Sequence, residues 1–204
     1  MVVHVYEQAQ KAHSLGDVIV AIDSEETEAS LKEWKVNVVM TSVDHASGTD
    51  RIWEAAAETD ADVIVNIQGD EPTIDPNIID KLVHQFEDDS INMATAAGKD
   101  MNAEIISDPN TVKVLLDEEG FAVNFRRDPV PNEMGGYYHH LGIYAFRKST
   151  LKKFTGLAPS ENELAMKLEQ YRALDNGMRI KVILTEKVSK GIDTIDDLKQ
   201  FERL

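Results

Sequence analysis

At 204 residues with a formal net charge of −16, the chain is long enough to bury a substantial core and too acidic to grip nucleic acid or an anionic membrane, since both reward clustered Lys and Arg. It has no cysteine, which excludes disulfides, cysteine-ligated iron-sulfur clusters and thiolate zinc sites. No apolar run approaches the length of a membrane span, and His4, Glu7 and His13 interrupt residues 1–16 where a signal peptide would be apolar, so a cytoplasmic protein is expected.

In chain order, Val2, Val3, Val5, Tyr6, Ala9 and Ala12 fall at helical spacing and predict an amphipathic helix that ends near Gly16. Residues 17–22 (DVIVAI) follow as a buried strand. Asp23 with Glu26 predicts a capping pair for a helix over 25–34, and 36–40 (VNVVM) is the next strand. This alternation predicts parallel pairing with right-handed crossovers, a doubly wound sheet. Around Gly48, small and hydroxyl residues form a loop into a helix, whose unpaired backbone donors suit an oxygen-rich ligand. A helix N-cap by Ser47 or Thr49 fits the same residues equally well.

Val63, Ile64, Val65 and Ile67 form a β-branched run that reads as a strand buried on both faces. Gln68, Gly69, Asp70, Glu71 and Pro72 then place an amide and two carboxylates at its exit, where open α/β sheets bind ligands. An ordinary turn, with Pro72 or Pro76 starting the next helix, is the other reading of these residues. Ile78, Ile79, Leu82, Val83 and Phe86 mark a helix over 76–86, residues 93–97 a strand, and residues 111–116 and 121–125 a hairpin around Asp117 to Gly120. Residues 128–136, with Pro129, Pro131, Gly135 and Gly136, read as an irregular loop, and 138–146 as a strand. Ser160 and Glu163 predict a capping box for a helix over 160–174 that Gly177 ends, and Ile180, Val182 and Leu184 alternate as a strand. No Gly-x-Gly-x-x-Gly follows any strand, which disfavours a Rossmann dehydrogenase.

Several stretches together carry a likeness that composition and periodicity do not supply. Asn66-Ile67-Gln68-Gly69-Asp70-Glu71-Pro72 is joined by His45-Ala46-Ser47-Gly48-Thr49-Asp50-Arg51, the hairpin run Val112 to Arg127, His140 to Phe146 (HLGIYAF), Leu168-Glu169-Gln170-Tyr171-Arg172 and Gly191-Ile192-Asp193-Thr194-Ile195-Asp196-Asp197-Leu198. Over essentially its whole length the chain resembles the 3-deoxy-D-manno-octulosonate (Kdo) cytidylyltransferases. The resemblance implies an α/β fold with a doubly wound, mostly parallel, nucleotidyltransferase-like sheet and an inserted hairpin and helix region. Residues 1–204 would form one domain, with 109–175 as the sugar-binding and dimerisation insertion. The family's first strand and its arginine-containing phosphate loop would precede Met1, an N-terminally incomplete arrangement.

The implied reaction is transfer of CMP from CTP to the sugar acid, for lipopolysaccharide biosynthesis by a homodimer. In the family's pattern Asp70 and Asp193 pair on one Mg²⁺ as the catalytic and metal residues. Ser47, Gly48, Thr49, Arg51 and Gln68 fall on the nucleotide side, and His140, Tyr144, Glu169, Gln170 and Arg172 on the sugar side. Arg172 would offer a bidentate fork to a carboxylate. On the residues alone, Tyr144 and Phe146 also read as one packed strand face, the polar run at 169–172 as a solvated helix face, and Thr194 with Asp197 as a helix cap. Asn124, Arg126 and Phe146 stand where the family has an aromatic, a serine and a tyrosine, so no role carries over to Arg126. A cytidylyltransferase for an amino-Kdo or a nonulosonic acid, and a truncated non-catalytic homologue that binds sugar or nucleotide, are the alternatives.

Overall fold

The computed structural model describes residues 1–130, 135–186, 188, 191–192 and 194–201. They fall into two compact units, the described residues within 1–61, 66–80 and 191–201 in the first and those within 62–65 and 81–188 in the second.

In the first unit, β1 (Val20–Ile22) and β2 (Val38–Met40) pair in parallel, Val20 opposite Val38 and Ile22 opposite Met40. Val20, Ile22 and Leu31 form a small buried cluster, and Val2, Val3 and Tyr6 of α1 (Val2–Ala9) pack on it, so the apolar stripe of that helix is used as its spacing predicts. The helix stops well short of Gly16. The amides of Lys11 and Ala12 turn back to the carbonyls of Gln8 and Ala9, and the Asp80 carboxylate accepts from the Ser14 amide at 2.8 Å, which holds the next segment out of the helix. Ser24, rather than Asp23, caps α2 (Glu25–Leu31): its hydroxyl accepts from the Thr27 amide, and Asp23 is bonded to Arg51 instead. Ser47 caps α3 (Gly48–Ala56). At the far end of the chain Thr194 caps α9 (Ile195–Phe201), its hydroxyl accepting from the Asp197 amide while Asp197 accepts from the Thr194 amide.

The second unit is built on a six-stranded sheet. Its strands are β3 (Val63–Asn66), β4 (Met93–Gly98), β5 (Lys113–Leu116), β6 (Ala122–Arg126), β7 (Tyr137–Arg147) and β8 (Lys181–Thr185), in the order β6-β5-β7-β4-β8 with β3 also paired to β7. β4 and β8 are parallel, whereas β7 runs antiparallel to both β4 and β5. The α/β class and nucleotidyltransferase-like fold hold, with more antiparallel pairing than the helix-strand alternation implies. β5 and β6 form a hairpin, whose short connection makes them antiparallel neighbours, and β7 inserts between β5 and β4 antiparallel to both. β3 is half-buried at Val63, Ile64 and Val65, not buried on both faces, because among the described residues only β7 pairs with it. β4, by contrast, is buried at every residue.

α4 (Pro76–His84) starts on a proline at its first position, where the missing amide costs nothing. α5 (Ala103–Ser107) and α6 (Lys148–Thr155) were not anticipated; α6 buries Leu151 and Phe154. The helix expected over 160–174 is two helices, α7 (Glu161–Met166) and α8 (Gln170–Asp175). Lys167 breaks it with a left-handed backbone (φ 54°), and the turn carries Leu168 into the core. The capping box at Ser160 and Glu163 is present. Residues 131–134 of the expected loop lie outside the described residues.

Gly177 ends α8 with φ 70°, its amide bonded to Leu174 and that of Met178 to Ala173, the two bonds of a Schellman turn. Gly177→Ala is expected to cost about 1 kcal/mol for holding a Cβ in the left-handed region. For a chain of this size that lowers the melting temperature by about 2–4 °C, readable by calorimetry.

Candidate active site

The nucleotide-side residues named from the sequence sit in the first unit, where β1 and β2 end. Thr41 follows β2 and its hydroxyl donates to the Ile22 carbonyl at 2.8 Å. Arg51, one turn into α3, donates to the Thr41 hydroxyl at 2.6 Å, to the Ser42 carbonyl at 3.2 Å and to the Asp23 carboxylate at 2.6 Å. Arg51 therefore ties the exits of both strands to the loop between β2 and α3. Glu54 holds the same loop from a turn further along, accepting from the Ser42 amide and bonding the His45 ring. These bonds, the Ser42 amide first, keep the Glu54 carboxyl below its ordinary value against the opposing effect of burial. Ser47 accepts from the Asp50 amide and donates to the Asp50 carboxylate, Thr49 is buried, and a Cβ added at Gly48 would meet nothing within 4 Å.

Asp70 lies in the turn after β3. The Glu71 amide reaches the Gln68 carbonyl at 3.3 Å and the Ile74 amide the Glu71 carbonyl at 3.1 Å, so the turn reading of this stretch also holds. Gln68 is exposed, its amide 3.5 Å from the Asn66 side chain. The Ile192 amide donates to the Asp70 carbonyl at 2.9 Å, and a Cβ on Gly191 would stand 3.4 Å from a Glu71 carboxylate oxygen. The chain just before residue 193 thus lies in contact with the Asp70 turn. Asp193 itself lies outside the described residues. Among the described residues no group of three or more His, Cys, Asp or Glu is arranged to hold a metal. The half-buried carboxylate of Asp70 is an oxygen donor of the kind Mg²⁺ uses sparingly, with phosphate and water completing its shell.

The sugar-side residues lie in the second unit. His140 on β7 places its Nε2 3.0 Å from the Thr95 hydroxyl of β4 and 3.0 Å from the Tyr144 hydroxyl. Phe125 meets the His140 ring edge to face at 5.1 Å. Burial raises the Tyr144 phenol well above its ordinary value, and the neighbouring Glu169 charge adds to this. Glu169 precedes α8, Gln170 is buried in its first turn, and Arg172 is buried beneath. Arg172 does form a bidentate pair, but its carboxylate is Glu163: Nε to Oε2 at 2.9 Å and Nη2 to Oε1 at 2.6 Å, with Glu169 at 3.7 Å. The expected fork to a ligand carboxylate is corrected accordingly, because α7 and α8 face each other across the Lys167 turn. Thr95 and Glu163 are participants the sequence reading did not single out as site residues. Thr95 is the one hydroxyl in the apolar run of β4, which was its available signal.

Burial, then the nearby His139, pushes His140 down to about 3 from an ordinary 6.5. The unfolded chain takes up this proton near pH 6.5 and the folded chain only near pH 3, so the folded state loses stability as pH falls through that window, by about 1.4 kcal/mol per pH unit. At pH 5 the wild type is expected to have lost about 2 kcal/mol that a His140→Gln variant does not lose. Urea denaturation of both proteins at pH 7 and pH 5 checks this.

A cytidylyltransferase family model matches residues 1–180, and with the fold it places the chain in the class of nucleotidyltransferases. The chain is 42% identical over 221 residues to the 3-deoxy-manno-octulosonate cytidylyltransferase of Geotalea daltonii, covering all of this chain and 87% of the relative. To the enzyme of the same name from Chlorobaculum tepidum it is 43% identical over 213 residues, covering 100% and 86%. The solved structure of CMP:2-keto-3-deoxy-manno-octonic acid synthetase complexed with CTP superposes with a TM-score of 0.92 at 33% identity, over 99% of this chain and 86% of that one. A 4-diphosphocytidyl-2C-methyl-D-erythritol synthase from Anaerococcus prevotii, 15% identical with a TM-score of 0.63 over 98% of this chain and 83% of that one, shares the fold alone. The chain belongs to the 3-deoxy-manno-octulosonate cytidylyltransferase family. No helix among the described residues is long and apolar enough to cross a membrane.

Proposed function

We propose that the chain transfers CMP from CTP to Kdo. The anomeric hydroxyl oxygen attacks the α-phosphorus, the α-β phosphoanhydride bond breaks, the hydroxyl proton is lost, and CMP-Kdo and pyrophosphate leave. The observation that carries this reading is likeness along the whole chain to a synthetase solved with CTP, at a TM-score of 0.92. A reaction of this kind rests on positioning and charge stabilisation more than on covalent chemistry, which suits a chain without cysteine.

In this reading the Ser47 to Arg51 loop and Gln68 receive the nucleotide, with Arg51 holding the loop in shape. His140, Tyr144, Glu169 and Gln170 receive the sugar, and Arg172 sets Glu169. Asp70 and Asp193 would hold Mg²⁺, a reading supported by the bond from the Ile192 amide to the Asp70 carbonyl, and the ion would supply charge neutralisation at the phosphates. Residues 109–175 serve as the sugar-binding insertion of a single catalytic domain and as the surface of a homodimer, where Val123 and Leu164 are exposed. The protein works in the cytoplasm, and its product supplies lipopolysaccharide biosynthesis.

The test is pyrophosphate release by the purified chain with Mg²⁺. Release that requires both CTP and Kdo is expected. Release with an amino-Kdo or a nonulosonic acid in place of Kdo would move the substrate within the class, and no release with any sugar acid, while CTP or Kdo still binds, would mark a binding protein.

A further inference from the structure

Thr95 sits on the fully buried strand β4, in contact with the two side chains read above as the sugar-side pair of β7. Its hydroxyl has one hydrogen and lies near the Ile143 carbonyl at 2.7 Å, the Leu141 carbonyl at 3.4 Å and the His140 Nε2 at 3.0 Å, and the Tyr144 hydroxyl bonds it as well. A carbonyl only accepts, so the short contact to Ile143 takes the hydroxyl hydrogen. The Thr95 oxygen then faces His140 with lone pairs, and a 3.0 Å approach of oxygen to nitrogen needs a hydrogen between them.

We infer that Thr95 is a positioning residue that fixes His140 as the Nε2–H tautomer and so keeps the Tyr144 hydroxyl hydrogen off the ring and available to an oxygen of the sugar acid. The steps follow from the donor inventory of neutral imidazole, which has one N–H and one bare nitrogen. With the proton on Nε2, the Tyr144 oxygen 3.0 Å away shares that N–H as acceptor, and its own hydrogen cannot go to the ring. A bare Nε2 would instead capture the Tyr144 hydrogen and leave the Thr95 and His140 lone pairs opposed. Burial keeps the ring neutral, so a doubly protonated ring does not blur the assignment. The Tyr144 phenol is likewise kept protonated by burial and by Glu169, as a hydrogen-bond donor must be. The polarity of the pair is therefore set on the strand behind it, by a residue that need not touch ligand.

This rests on His140 and Tyr144 as sugar-binding residues only for its effect on catalysis; the tautomer itself is read without substrate. Long-range ¹H–¹⁵N correlation spectra of the ligand-free wild type are expected to show His140 protonated on Nε2, and protonation on Nδ1 would overturn the inference. In Thr95→Val, which keeps the shape and removes the oxygen, the proton should move to Nδ1 as Tyr144 donates to the ring. The KM for Kdo should rise about tenfold, the scale of one lost hydrogen bond, with the KM for CTP unchanged. Thr95→Ser restores the oxygen and should restore both tautomer and KM. A Thr95→Val protein that keeps the Nε2–H tautomer, or a Thr95→Ser protein that behaves as the valine variant does, would refute the role. Should Thr95→Val not fold, the wild-type and serine spectra decide by themselves. Absence of turnover in every protein would count against the proposed function and leave the tautomer result standing.

Discussion

Asp70→Asn is expected to reduce the rate of pyrophosphate release by on the order of a thousandfold, because a carboxylate that helps hold a metal at the triphosphate contributes several kcal/mol to the transition state. The fold should not suffer. What the surrounding structure uses of this residue is its backbone carbonyl, which accepts from the Ile192 amide at 2.9 Å, and asparagine keeps that bond. The residue is half-buried, and the exchange of one oxygen for an amide changes little packing. Thermal unfolding of the variant should match the wild type within about 2 °C, a shift below 1 kcal/mol for a chain of this size. Chelating divalent ions from the wild type should reproduce the loss, and chelation should then add nothing in the variant. A variant with more than a tenth of wild-type turnover would remove Asp70 from the metal site. The same assay on Asp193→Asn tests the partner residue.

Much of this architecture was legible from residue periodicity, and the departures have local causes. β-branched runs mark β1, β2 and β8, a short apolar run marks β4, and Gly120, with φ 78°, closes the hairpin where its position between two apolar runs places it. The spacing over 160–174 reads as one helix because no Gly or Pro marks the break; Lys167 takes the left-handed conformation where burying Leu168 and pairing Glu163 with Arg172 offset its cost. The spacing of Asp23 to Glu26 predicts a cap, whereas Ser24 holds that role because Arg51, distant in sequence, binds the Asp23 carboxylate. Long-range pairs of this kind leave no trace in a local window. The functional motifs fared likewise: His140 and Tyr144 were readable as a pair on one strand, whereas their link to Thr95 depends on β7 lying antiparallel beside β4 with an irregular register after Thr95.

Glu163→Ala is expected to be the most destabilising of these substitutions, by about 3–5 kcal/mol, the cost of leaving a buried charge without its main partner. The side chains of Arg172 and Glu163 are only 6% and 11% exposed, so solvent screens neither. Both arms of the guanidinium end on this carboxylate, and Arg172 also lies 5.0 Å over the Phe154 ring, which fixes it in place and denies it an escape to water. Glu163 additionally accepts from the Ser160 amide at 3.1 Å, so its loss frees the start of α7 as well. Glu169, at 3.7 Å, is too far to replace two direct hydrogen bonds. At about 2–4 °C per kcal/mol, the melting temperature should fall by roughly 6–20 °C. The double variant Glu163→Leu, Arg172→Met separates the pair from the charge it strands: with both ions gone, more than half of the lost stability should return, as it does when a buried ion pair is exchanged for apolar side chains. A double variant no more stable than Glu163→Ala would mean that the cost came from the helix start, and that Arg172 is adequately held by its remaining contacts.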